Sequence, residues 1–327
     1  MTASSPDASI KPVTIGRSGK SVLPLAFGGS WYMPYAVPSA EDEDRLAAMQ
    51  ACYDAGIRHF DTGATYGAGH SEGLYREFLK PRRAGIFLAS KIDPTDGTAE
   101  GMLAEIEASL RRLGTDFIDL YYIHWPARGG RDMRPTMEGL ERARSQGKIG
   151  AVGVSNFSVA DMRQVAEVGT IDAHQFGYNL LWRYPEEDVI PYCIERGVPI
   201  VAYSALAHGI LSGKFPRVLD LQPGDQRHTV LPFRSDIWPH VYSGVEEMKA
   251  IAAGLDRPLA HLALGWLLSR PGISAVLFGG RNREQAEANA TALAGTIPGD
   301  AFVRMTAISD QIVKYVPHEN NLFGRQP

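Results

Sequence analysis

Apolar and polar positions along the chain alternate between two periods. Short β-branched or aromatic runs are each followed by a segment whose apolar residues recur at helical spacing. "VTIGRSGKSV" places Ser18-Gly19 between two short β-prone runs and reads as a hairpin. "VLPLAFGGS" is the first longer strand, and "AEDEDRLAAMQACYDAG" a helix with Leu46, Ala47 and Met49 on one face, stopped by Gly56. "IRHFDT", "GIFLASK", "FIDLYYIH", "IGAVGVSN", "DAHQFGYN", "VPIVAYS" and "ISAVLFGG" continue the strand series. Between them lie the helical "SEGLYREFL", "TAEGMLAEIEASLRRLG", "TMEGLERARSQG", "SVADMRQVAEVG" and "EDVIPYCIERG". Thr98 and Gly114 are a start and stop signal, and Ser158 with Asp161 a reciprocal cap. A long irregular stretch precedes "GVEEMKAIAAGL" and "LAHLALGWLLSR", and "REQAEANATAL" is the last helix of the pattern.

Eight apolar strands alternating with helices predict a parallel sheet covered by helices. At 327 residues this favours a closed (β/α)8 TIM barrel with an N-terminal β-hairpin, the whole chain from 1 to 327 forming one domain. No GxGxxG follows an early strand, which weighs against a dinucleotide-binding doubly wound sheet.

Charge and composition narrow the function classes. A net charge of −4 without any Lys/Arg block argues against nucleic acid as a partner. No apolar run is long enough to span a bilayer, and "MTASSPDASIKP" has no apolar signal core. Cys52 and Cys193 stand alone, without a CxxC spacing, which suits a reducing compartment and offers no metal framework. The expectation is a cytoplasmic protein with a small-molecule partner, no metal and no membrane.

In a parallel barrel the site lies at the C-terminal ends of the strands. Polar residues appear there strand after strand: Asp61, Lys91, His124, Ser155 with Asn156, Gln175, Tyr203 with Ser204, and Gly279-Gly280-Arg281. Any one of them alone reads as a cap, a hydrogen-bonded core residue or a solvated charge; their convergence on one rim does not. Asp61 beside Lys91 would hold a buried ammonium, since neither charge is stable there by itself. An ammonium near Tyr66 favours the phenolate and makes the phenol a usable general acid toward a carbonyl oxygen. A neutral His124 would donate a hydrogen bond to the same oxygen. Such an acid suits carbonyl reduction if a hydride donor lies alongside.

The donor's site is legible too. Loops after strands seven and eight of barrels often hold phosphate. Here they are "LAHGILSGK", ending in Lys214, and "GGRNREQ", where Asn282 and Gln285 are placed to cap a helix. Arg281 is placed to meet a phosphate. Ser155, Asn156 and Gln175 offer partners to a carboxamide, and Tyr203 a flat face to a nicotinamide ring.

The stretches "GIRHFDTGATYG", "FLASK", "DLYYIHWP", "GKIGAVGVSNF", "VAYSALAHGILSGK" and "GGRNREQAEAN", in order over nearly the whole chain, resemble the aldo-keto reductase superfamily. The resemblance implies a (β/α)8 barrel with a nicotinamide dinucleotide extended across its rim. It implies a catalytic tetrad of Asp61, Tyr66, Lys91 and His124. It implies cofactor contacts at Ser155, Asn156, Gln175, Tyr203, Ser204, Leu206, Lys214, Gly279, Arg281, Gln285 and Asn289. Two positions depart from the family's frequent pattern: Ala205 stands where Pro is common after "YS", and Ala288 where Glu often precedes the adenine-contacting Asn. Arg281 favours a 2′-phosphate, hence NADP(H).

Substrate walls are expected from Trp31 and Tyr32 after the first barrel strand and Trp125 after His124, with Phe233, Trp238 and the tail "VPHENNLFGRQP" as further candidates. The function expected is reduction of an aldehyde or ketone, or oxidation of the alcohol. The alternative is a cofactor-binding regulatory subunit with slow turnover. A metal-dependent hydrolase built on His59, Asp61 and His70 is disfavoured, because Lys91 beside them would repel a cation.

Overall fold

The computed structural model describes residues 11–29, 41–94 and 96–317. Two short strands, β1 (Val13–Thr14) and β2 (Ser21–Val22), pair antiparallel with Val13 opposite Val22. The predicted hairpin is therefore present, but its connection is wider than Ser18-Gly19. A single 3-10 turn over Gly16–Ser18 intervenes before Gly19 closes the loop at φ 72°.

Eight parallel strands follow: β3 (Leu25–Gly28), β4 (His59–Asp61), β5 (Phe87–Ile92), β6 (Ile118–Ile123), β7 (Ile149–Ser155), β8 (Ala173–Gly177), β9 (Ile200–Tyr203) and β10 (Ile273–Phe278). Each pairs with the next, and β10 also pairs with β3, so the sheet closes into a barrel. Around it lie α1 (Asp42–Asp54), α2 (His70–Leu79), α3 (Ala99–Leu113), α4 (Arg134–Ser145), α5 (Val159–Val165), α6 (Val189–Arg196), α7 (Trp238–Gly254), α8 (Leu259–Leu268), α9 (Arg283–Ala290) and α10 (Gly299–Ile312). The fold is a (β/α)8 barrel with an N-terminal β-hairpin.

Capping follows the sequence. Thr98 Oγ1 accepts from Gly101 N at 2.9 Å, Gly114 ends α3 in the left-handed region, and Ser158 with Asp161 forms a capping box on α5. Three expectations need correcting. The buried face of α1 is Arg45, Ala48, Met49, Ala51 and Cys52, while Leu46 and Ala47 are only half buried. Helix α7 begins at Trp238, six residues before Gly244, because Pro239 suits a first helical turn. The last helix is α10, not "REQAEANATAL"; it packs on α7, and the eightfold alternation is complete without it.

Every second residue of a strand points into the barrel. The interior is lined by Ala26, Phe87, Ala89, Leu120, Tyr122, Ala151, Ala173, Val201, Ala275 and Leu277. Small residues make room for large ones: a Cβ at Gly153 would fall 2.2 Å from Cδ1 of Tyr122, so the phenol ring occupies the place of a side chain on β7. The hairpin closes the N-terminal end with Ile15 and Val22. Arg17 donates to Asp172 at 2.6 and 3.0 Å, and Lys20 lies 2.7 Å from Asp119. The hairpin thus occupies the N-terminal end, and the strands' C-terminal ends lie at the other.

Candidate active site

Asp61 ends β4 and Lys91 lies on the neighbouring β5, both almost fully buried. Lys91 Nζ donates to Asp61 Oδ1 and, at 2.9 Å, to the carbonyl of Thr62. The other carboxylate oxygen, Oδ2, accepts from Gln175 Nε2 at 2.9 Å. Asp61's backbone carbonyl accepts from Tyr75 Oη at 2.8 Å and from Gly29 N at 2.7 Å. A buried pair persists only when its remaining polar atoms are satisfied, and these bonds supply that.

Tyr66 opens a tight turn after β4, in which Gly67, Ala68 and Gly69 all have positive φ. The turn lays the phenol ring back over the barrel, and Lys91 Nζ sits 5.2 Å from its centroid. Gly63 is what allows the approach: a Cβ there would lie 3.2 Å from Tyr66 Cε2 and 3.3 Å from Lys91 Cγ. His124 follows β6 and meets the Tyr66 ring edge-on, with centroids 5.6 Å apart and planes at 80°. Burial pushes the His124 imidazole below its ordinary range, and Asp93, with Oδ1 3.1 Å from Nδ1, partly offsets this. Asp61, Tyr66, Lys91 and His124 are thus together at the C-terminal ends of the strands.

Asn156, at φ 62°, ties three strand ends. Its amide donates to the carbonyl of His124 at 3.0 Å and to Ser155 Oγ at 3.0 Å, and its oxygen accepts from Tyr203 Oη at 2.7 Å. Ser155 is buried at the end of β7, and Ser204 (φ 53°) places Oγ 3.3 Å from His208 Nε2. Gln175 is turned toward Asp61, to which one of its two amide N–H groups donates.

The loops that follow β9 and β10 carry the remaining candidates. Leu206 precedes a turn (Ala207–Ser212) with His208 and Gly209 at positive φ, and Lys214 follows it. Burial and the neighbouring Arg281 and Arg227 lower the Lys214 ammonium from its usual range. Among the described residues no carboxylate lies within ion-pair distance of Lys214 or Arg281. Gly279 is exposed, and Gly280 packs so closely that a Cβ would fall 2.8 Å from Ala286 N. Asn282 Oδ1 accepts from Gln285 N at 3.0 Å, while Gln285 Oε1 reaches back to Arg281 N at 3.2 Å. Asn289 Nδ2 donates to the carbonyl of Gly279 at 2.9 Å, which ties α9 to the loop that begins it. Close-mutual cations beside a helix N-terminus and a glycine pair fit a diphosphate.

The aromatic candidates separate. Trp125 lies half buried beside His124, with ring centroids 6.0 Å apart. Trp31, Tyr32 and the tail beyond Pro317 lie outside the described residues. Phe233 and Trp238 stack on each other at 5.8 Å and meet Phe215 edge-on, so they anchor the long segment before α7. His59 packs edge-on against Phe87 and His70 bonds to Asp42 at 2.9 Å, so neither joins Asp61 in one cluster.

Sequence reasoning missed Asp93 and Arg227. Asp93 stands two residues after Lys91, and the period of two already put it on the same side of the strand. Arg227 carried no signal, since it reaches the Lys214 cluster only through the fold of an irregular segment.

A family model described as the aldo/keto reductase family matches residues 25–310. An aldo-keto reductase of Bacillus subtilis, YhdN, is 31% identical over 276 residues, covering 80% of this chain and 82% of the relative. An NADH-specific methylglyoxal reductase of Escherichia coli is 28% identical over 305 residues, covering 86% and 90%. The structure of an aldo/keto reductase from Klebsiella pneumoniae in complex with NADP and acetate superposes with a TM-score of 0.75 at 26% identity, covering 96% of this chain and 99% of that one.

Proposed function

This chain belongs to the aldo/keto reductase family of NAD(P)H-dependent oxidoreductases, and we propose that it interconverts a carbonyl compound and its alcohol, with NADP(H) as cofactor and Tyr66 as the general acid and base. The observation that carries the reading is the Tyr66 ring, held 5.2 Å from a buried, Asp61-paired ammonium with His124 at its edge.

Bound NADPH supplies the hydride. The residues do the rest. Tyr66 gives its hydroxyl proton to the carbonyl oxygen as the alcohol forms, and the phenolate left behind regains a proton from solvent. Lys91 lowers the cost of that phenolate, because an opposite charge nearby favours the ionised form. Asp61 and Gln175 keep the ammonium in one place. His124 orients the substrate oxygen. Ser155, Asn156 and Gln175 would hold the carboxamide of the cofactor, and Tyr203 would stack on its ring. Ser204, Leu206, Lys214, Gly279 and Gln285 would line its phosphates, and Asn289 its adenine.

Arg281 carries the preference for NADP(H) over NAD(H). Its guanidinium suits a 2′-phosphate, and the added negative charge would face Lys214 and Arg281, while Arg227 beside them is already paired with Asp225. Trp125, and Trp31 from the sequence, would wall the substrate. The whole chain from 1 to 327 would act as one domain. A cytoplasmic location is supported by two buried, unpaired cysteines. No helix among the described residues is long and apolar enough to cross a membrane.

The test is NADPH oxidation by the purified protein against a panel of aldehydes and ketones, with Tyr66→Phe alongside. Loss of a positioned general acid is expected to lower kcat about 10²–10⁴-fold, while NADPH binding followed by fluorescence stays intact. Equal turnover in both proteins would remove Tyr66 from its role.

A further inference from the structure

Two neighbouring residues of β8 face opposite sides of the sheet. Gln175 points into the barrel toward Asp61. His174 lies on the outer face, fully buried, with its ring edge-on to Phe176 at 4.9 Å. Both hold the turn that follows β7. Asn156 N donates to the carbonyl of Gln175 at 2.9 Å, and the next amide, Phe157 N, donates to His174 Nε2 at 3.2 Å. Asn156 is left-handed, at φ 62°, so the chain leaves the strand ladder here. The buried Phe157 N–H still needs an acceptor, and a side chain takes the place of a strand carbonyl.

That bond fixes the state of the ring. A backbone N–H only donates, so Nε2 is the lone-pair nitrogen and the ring proton sits on Nδ1. Nδ1 lies 3.6 Å from Sγ of the buried Cys193 on α6, which accepts that proton's hydrogen bond. Burial lowers the ring to about 3, so the Nε2 lone pair is kept at neutral pH.

We propose that His174 is a positioning residue for the nicotinamide end of the cofactor: from behind the sheet it holds the turn that presents Asn156. The inference rests on the function proposed above, which gives Asn156 the carboxamide. The Asn156 side chain bonds to the carbonyl of His124, to Ser155 Oγ and to Tyr203 Oη, all at the mouth of the barrel. A left-handed residue other than glycine persists only where its surroundings hold it. The bond at Phe157 holds it from the side that those contacts leave open. His174 therefore acts through Phe157 and Asn156, and one strand supports the site from both of its faces.

The test compares His174→Leu, which removes the acceptor, with His174→Gln, whose amide oxygen can take the place of Nε2. Binding of NADPH is measured beside that of 2′-phospho-ADP-ribose, which carries the same adenine and diphosphate but no nicotinamide. In His174→Leu, NADPH is expected to bind about tenfold more weakly, the size of one net hydrogen bond. The fragment should bind as it does to the wild type, and His174→Gln should recover most of the loss. Equal weakening of both ligands would reduce His174 to a structural role and overturn the proposal, as would unchanged NADPH binding. Should His174→Leu fail to fold, the wild type labelled with 15N decides, with His174 assigned through its own backbone amide. Its ring is expected to carry the proton on Nδ1, and a proton on Nε2 would overturn the proposal. Failure of the wild type to bind NADPH would instead count against the proposed function, while the 15N spectrum would still show whether His174 holds the turn.

Discussion

Gln175 Nε2 donates 2.9 Å to Asp61 Oδ2, the carboxylate oxygen that Lys91 leaves free. The bond runs across the barrel, from β8 to β4. It makes Asp61 a satisfied anion inside an apolar wall, and so fixes the direction in which Lys91 presents its charge. A residue on the cofactor side of the mouth thus also supports the proton-handling side.

Replacing Lys91 by Met removes one member of this buried pair and leaves Asp61 charged with one side-chain donor. The expected cost is about 3–5 kcal/mol of folding stability, read as a lower urea midpoint at pH 7. Adding Asp61→Asn to Lys91→Met should recover part of the loss, because it removes the unpaired charge. A variant as stable as the wild type at neutral pH would show that the pair is well solvated.

Arg281→Ala tests cofactor choice. A hydrogen bond to a charged group is worth about 1.5–3 kcal/mol, which corresponds to a KM for NADPH raised roughly 10- to 100-fold. KM for NADH should change little. A parallel rise for both cofactors would assign Arg281 to the shared diphosphate and not to the 2′-phosphate.

Gly153→Ala should destabilise the barrel. Its Cβ would lie 2.2 Å from the Tyr122 ring, and overpacking of this kind costs about 1–3 kcal/mol. Adding Tyr122→Leu should restore stability, because the two changes share one space. Thermal melts of the two single variants and the double variant give the coupling, and simple additivity would rule out the contact.

His59 and His174 give a pH dependence of known sign. Burial lowers His59 to about 4 and His174 to about 3, against an ordinary value of 6.5. The unfolded chain then binds more protons than the native one below pH 6.5, so the stability these residues contribute is complete above that pH and is lost as pH falls toward 4. For His59 the loss is on the order of 3 kcal/mol by pH 4. Urea unfolding at pH 7 and pH 4.5 should show a smaller decline in His59→Leu than in the wild type. Identical declines would mean that His59 is protonated in the folded state.

Much of this molecule follows from local pattern. The alternation of strand and helix periods is enough for the barrel, because parallel strands joined by helices must be buried on both faces. The gathering of Asp61, Lys91 and His124 is legible because each lies within a residue of a strand's C-terminal end, and strand ends of such a barrel share one rim. The capping pairs at Ser158 and Asn282 are legible because a cap involves residues only three apart. What no local pattern contains is the contact between residues far apart in sequence. Gln175 and Asp61 are 114 residues apart, and only closure of the barrel brings them together. The Tyr122 ring filling the place of a side chain at Gly153, and Arg227 reaching Lys214, depend on side-chain directions and on the path of an irregular segment. The helix α10 has its apolar face in the sequence, at Ala301, Met305 and Ile312, but its place against α7 comes from packing alone. Periodicity decides which face of an element is buried; the tertiary structure decides against what, because that choice is made by shape and charge across the closed barrel.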